Sequence, residues 1–194
     1  MKTLTTIILF CSVFFVYGAE PSDSFNLLWA RATDYSFNKE HENAVIVINI
    51  LISSFPDEKL LYLKRSGEYS RMNKFDLAIK DIYKSLSIDP ENIDALTLLA
   101  LLKVETGQVE SGLVALNSIQ INDSVSDYYK MTYYCNSFNI YVSIKDYSKA
   151  KEIAKELLKY QKIHGRMSEW LLKDLRFKDI KNEDWFKEII QALK

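Results

Sequence analysis

Along Ala78, Ile79, Ile82 and Leu86 the apolar positions fall three and four residues apart, the spacing that collects side chains on one face of a helix. Similar steps run through most of the chain and predict a succession of short amphipathic helices. Compared with itself at an offset of 34 residues, the sequence repeats small residues at Ala44, Ala78 and Gly112 and again at Ala32, Ser66 and Ala100. Tyr35 and Tyr69 share that offset, as do Pro56 and Pro90, each followed by an acid, Asp57 and Glu91. The two small positions of a unit stand twelve residues apart, one on each of two helices, where a larger side chain would force the helices apart. The prolines mark the turn between units, because proline suits a helix's first turn and not its interior.

A two-helix unit of this length, with small, aromatic and proline residues so distributed, resembles the tetratricopeptide repeat family. The stretch Tyr62 to Asn92 carries the resemblance best, with Ser66, Tyr69, Phe75, Ala78, Ile82, Ser85 and the closing Asp89-Pro90. The resemblance implies an all-α, right-handed superhelix of about four helix-turn-helix repeats, at 25–58, 59–92, 93–125 and 126–165, within residues 22–165. In the fourth unit Ala150 follows Gly112 by 38 residues, not 34, so four residues, about one helical turn, have been added. The extra turn is expected at the start of the helix after Ser126, with Ser126-Asp127 as cap and acidic first turn and Asn122-Asp123-Ser124 as loop. Residues 166–194 hold two shorter apolar stripes, expected to be capping helices that cover the open end of the stack.

The first nineteen residues read differently. Met1-Lys2 is followed by an apolar run from Leu4 to Tyr17 and by small residues at Gly18 and Ala19, the layout of a secretory signal peptide. The expected location is therefore periplasmic or extracellular. A signal anchor or a lipoprotein attached at Cys11 are the lesser alternatives, the first because the run is shorter than the roughly 18 residues that span hydrocarbon. Losing the leader leaves Cys135 as the single thiol, expected to be packed as a small hydrophobe in the run Tyr133-Tyr134-Cys135.

Composition narrows the function. Lys and Arg number 25 against 26 Asp and Glu, for a formal charge of −1, with no basic block, so nucleic acid is not an expected partner. The sequence contains no HExxH, GxSxG or phosphate-cradling glycine loop, and neither catalysis, metal nor cofactor is expected. His41, placed at a turn, and His164, at a helix end, are expected to be structural, and Asn122-Asp123-Ser124 matches a glycosylation acceptor. Tyr35, Tyr69, Tyr83 and Phe75 are expected at repeat interfaces.

What remains is a binding surface. In the family, the first helix of each unit lines a concave groove that receives a peptide or protein partner. Carried onto this sequence, that face holds Trp29, Thr33 and Phe37, then Leu63, Lys64, Gly67 and Arg71. It continues through Asp94, Thr97, Leu101 and Glu105 to Asn136, Asn139 and Ser143. Lys64 and Arg71 are the expected contact for an anionic group, and Asn136 and Asn139 for a peptide backbone. Leu63, Gly67 and Trp29 stand where the family's carboxylate clamp wants polar residues. The expected role is a non-catalytic interaction scaffold, with an assembly subunit of a cell-envelope complex as the alternative.

Overall fold

The computed structural model describes residues 21–160 and 180–192; the leader, His164 and the stripe from Trp170 to Phe177 lie outside the described residues. Among those described there are nine α-helices and no strand. They are α1 (Pro21–Phe37), α2 (His41–Ser54), α3 (Lys59–Arg71), α4 (Phe75–Ile88), α5 (Ile93–Glu105), α6 (Val109–Asn117), α7 (Asp127–Ser143), α8 (Tyr147–Leu157) and α9 (Asp184–Ala192). The first eight pack as sequential pairs, and the first helices of neighbouring pairs also touch, α3 on α5 and α5 on α7. An inner wall of first helices and an outer wall of second helices result.

Each pair is closed by the same turn. Lys39, Asn73, Gly107 and Lys145 all adopt positive φ, between 56° and 81°, two residues past the ends of α1, α3, α5 and α7. The following N–H reaches back to a carbonyl five residues earlier, as in Lys74 to Tyr69 and Gln108 to Lys103, both at 2.8 Å. This is the Schellman ending, which satisfies carbonyls that the helix leaves without donors. Only Gly107 adopts the left-handed conformation without steric penalty. The positions 39, 73, 107 and 145 repeat the sequence's own steps of 34, 34 and 38.

The small positions lie at the helix crossings. Ala32, Ala44, Ser66, Ala78, Ala100 and Ala150 are all fully buried, and Gly112 is buried too. At the corresponding place in the fourth pair stands Phe138, also fully buried, its ring stacked on Phe186 of α9 at 6.5 Å. With Ile180, Ile189 and Ile190 this covers the apolar side of α7 and α8.

The added turn belongs to α7, which runs 17 residues where α3 and α5 run 13. Ser126 occupies the cap position but its side chain makes no capping bond, a departure from the expected cap. By contrast Asn92 accepts from Ala95 N–H at 2.9 Å, and Asp146 from Lys149 N–H at 3.0 Å. Tyr83 also corrects its expectation: it is 51% exposed, because Ile82 and not its neighbour, a hundred degrees round the helix, points inward.

Cys135 packs against the fourth-pair core, and burial pushes its thiol up to about 12 from 9.0. At pH 8 that lowers the thiolate fraction by about three orders of magnitude. Alkylation by iodoacetamide at pH 8 is therefore expected to be about a thousandfold slower in the folded chain than in urea. Equal rates would show that the thiol is open to solvent.

Candidate functional site

The inner wall between α1 and α3 gathers the densest set of polar contacts. Trp29 is half-buried on α1, and one turn later Thr33 donates its hydroxyl to the Trp29 carbonyl at 2.8 Å. Lys64 reaches across from α3, donating to Thr33 Oγ1 at 3.0 Å with its ammonium 4.6 Å from the centre of the Trp29 ring. The indole face is the more negative part of the ring and attracts the cation, while the hydroxyl orients it. Burial pushes the Lys64 pKa below its ordinary value; nearby Glu68 opposes this and Arg71 adds to it. No carboxylate forms a salt bridge with this ammonium among the described residues.

Behind it lies Glu68, whose side chain is 2% exposed. It accepts from Ser36 Oγ at 2.7 Å and Arg71 Nη1 at 3.0 Å on one oxygen, and from His41 Nδ1 at 2.7 Å on the other. Three donors from α1, α2 and α3 thus satisfy one buried carboxylate and join the first pair to the second. Arg71 commits one nitrogen to this network and leaves its side chain 54% exposed. Gly67 lies beneath it, and a Cβ there would come within 3.3 Å of Arg71 Nη1.

Trp29, Thr33, Lys64 and Arg71 are therefore brought into one cluster. No hydrogen bond or ring contact of that cluster extends to Leu101, Asn136 or Asn139. Leu101 packs beside the core of α5 and α6, Asn136 is half-buried, and Asn139 is 3% exposed with its Oδ1 lacking a partner. Thr97 is fully buried and Phe37 is 86% exposed. His41 opens α2 rather than occupying the turn, and its bond to Glu68 is a structural one. Glu68 itself escaped the sequence reading. Two of its three partners lie 32 and 27 residues earlier, and nothing in the pattern marks a buried acid there.

The outer wall has a cleft of its own. A cavity of about 380 Å³ opens between α2 and α4, with Asn49, Ile52 and Ser53 on one side and Leu77 and Lys80 on the other. Its floor is Arg65, which bonds both Asp81 oxygens at 2.7 Å and Asn49 Oδ1 at 2.6 Å. Asp81 is 5% exposed and the Arg65 side chain 19%, so a largely buried ion pair joins α3 to α4, and the bond to Asn49 ties it to α2. Among the described residues no group of three or more His, Cys, Asp or Glu stands close enough to hold a metal, and no helix is long and apolar enough to cross a membrane.

Comparison with known proteins agrees with this geometry. Residues 61–92, from the third residue of α3 through α4 and the turn after it, match the family model described as tetratricopeptide repeat. A curated relative, the small glutamine-rich tetratricopeptide repeat-containing protein 2 of Saccharomyces cerevisiae, is 28% identical over 82 residues. That match covers 42% of this chain and 24% of the relative, so the chain spans about a quarter of that protein. Among solved structures, PilW, a widely conserved type IV pilus biogenesis factor, superposes with a TM-score of 0.66 at 15% identity, covering 90% of this chain and 79% of its own. MamA does so with 0.53 at 15% identity, covering 84% and 91%. These likenesses concern the fold. Its described residues form a stack of sequential helix pairs without strands, and the second pair is the one that the tetratricopeptide repeat family model matches.

Proposed function

We propose that this chain is a non-catalytic protein-interaction scaffold that works after export and grips an extended segment of a partner on the wall formed by α1 and α3. Lys64 carries the reading. Its ammonium is drawn partly out of water onto an indole and a neutral hydroxyl, with no acid among the described residues in a salt bridge to it. A cation held so is poised for an acidic group supplied from outside, because desolvation strengthens the attraction that such a group would feel. Arg71, exposed and anchored by Glu68, offers further N–H donors to the same anion.

The test is affinity capture with crosslinking on the exported chain, comparing wild type with Lys64→Glu and Arg71→Glu. Each reversal is expected to weaken partner recovery about tenfold or more, the cost of placing like charges together. If both variants keep every partner, the groove reading fails. Export rests on the apolar Leu4 to Tyr17 run behind Lys2, and N-terminal sequencing of the mature protein is expected to begin after Gly18 or Ala19.

A second reading, an assembly subunit of a cell-envelope complex, is favoured by the apolar residues that the outer helices expose. Ile46 is 58%, Ile50 45%, Leu77 44% and Val114 70% exposed. A permanent subunit would co-purify in stoichiometric amount through that face, whereas the scaffold is expected as a monodisperse monomer.

A further inference from the structure

The cleft on the outer wall has more donors than acceptors. Arg65 at its floor uses three of its five N–H donors, two on Asp81 and one on Asn49 Oδ1, and its side chain stays 19% exposed. Asn49 spends its Oδ1 on that bond, and its side-chain N–H donors have no partner among the described residues. Lys80 stands exposed on the opposite side. Among the described residues it enters no salt bridge, neither with Asp76 one turn earlier on α4 nor with Asp81 beside it. Both Asp81 oxygens are held by Arg65, so those two charges offset each other and Lys80 leaves the cleft net positive. Ile52 and Leu77 face each other across it as aliphatic walls, with Leu77 44% exposed.

We infer that this cleft receives a glutamate side chain of a protein partner, its carboxylate on Lys80 and the unused donors of Arg65 and Asn49, its methylenes between Ile52 and Leu77. Charge complementarity selects the occupant. An ionised carboxylate only accepts hydrogen bonds, which is what a donor-rich, net positive cleft lacks, and charge-assisted bonds are the strong ones. The apolar surface continues beyond the mouth, where Ile46 and Ile50 on the exposed side of α2 are 58% and 45% exposed. An aliphatic residue beside the glutamate would cover them, so the acid is one carried on a protein. The cleft lies between α2 and α4 of the outer wall, and the Lys64 cluster lies between α1 and α3 of the inner wall. The inference therefore goes beyond the groove reading and does not depend on it.

A random twelve-residue peptide library selected on the full chain and sorted by binding to variants tests it. One class of enriched peptides is expected to carry a glutamate beside an aliphatic residue. That class is expected to bind Lys80→Met about tenfold more weakly than wild type, the usual cost of losing one charge-assisted bond. Ser53→Glu, which sets a carboxylate at the cleft's own edge, is expected to weaken the same peptides by a similar factor, and Lys64→Glu to leave them unchanged. Ser53 and Lys80 are both exposed, so neither substitution disturbs the core. Replacing the peptide's glutamate by glutamine is expected to weaken binding to wild type about tenfold and to leave binding to Lys80→Met unchanged. The glutamine arm uses unaltered protein, so it decides the matter even where a variant folds poorly. A glutamine peptide that binds wild type as tightly as its parent, or a library in which no enriched peptide responds to Lys80→Met, overturns the cleft inference. Peptides that respond to Lys64→Glu alone leave the groove standing without the cleft, and peptides that respond to Lys80→Met alone do the reverse.

Discussion

Replacing Arg65 by Met is expected to cost about 3–5 kcal/mol of folding stability, the range for removing one partner of a buried ion pair. The guanidinium satisfies both oxygens of Asp81, whose side chain is 7% exposed, and also holds Asn49 of the preceding pair. The variant would leave the Asp81 carboxylate, largely buried at the edge of the cleft, without its cation. Its methylene stem would still be matched by Met, so the loss is one of charge pairing and not of volume. Urea titration followed by far-UV circular dichroism measures it. The double variant Arg65→Met with Asp81→Leu is expected to recover most of the loss, since an apolar pair of similar size often replaces a buried ion pair at little cost. A loss under about 1 kcal/mol in the single variant would show that Asp81 is solvated after all.

The other large effect is at Gly112. A Cβ on that residue would stand 2.7 Å from Val104 Cγ2 and 2.8 Å from the Ala100 carbonyl oxygen, well inside contact distance. The backbone of α6 therefore lies directly on α5, closer than any side chain permits. Alanine, the residue at the matching positions 44 and 78, gains up to about 1 kcal/mol of helix preference over glycine. Overpacking costs about 1–3 kcal/mol, so Gly112→Ala is expected to be a net loss. Gly112→Leu must push α6 off α5 bodily, and a loss of about 3 kcal/mol or more is expected. The same titration reads both, and a leucine variant within about 1 kcal/mol of wild type would mean that the two helices separate freely.

Much of the fold was legible before any coordinates because the repeat is written three times over. Small residues, aromatics and prolines recur together, and each class answers to a separate physical demand. The four added residues could be assigned to α7 on the same grounds, since a whole turn lengthens a helix without rotating its apolar face. The shared helix ending was less readable. Lysine holds the left-handed position at 39 and 145, where only Asn73 and Gly107 advertise it, because the backbone bonds of the Schellman turn offset the strain. At the site, the sequence placed Lys64 on the inner wall but could not pair it with Trp29, since periodicity gives a face and not a partner.

By itself, then, the order of residues determined that helices form, how long a unit is and which small positions sit at the helix crossings, because these depend on spacing and propensity along one segment. Which polar groups meet was decided only in the tertiary structure. Glu68 became the common acceptor of Ser36, His41 and Arg71, Asp81 the counter-ion of Arg65, and Asn139 a buried amide, through the angles at which separate helices cross. Charge pairing depends on distances of a few ångströms between residues from different segments, and a crossing shifted by one helical turn would exchange every partner.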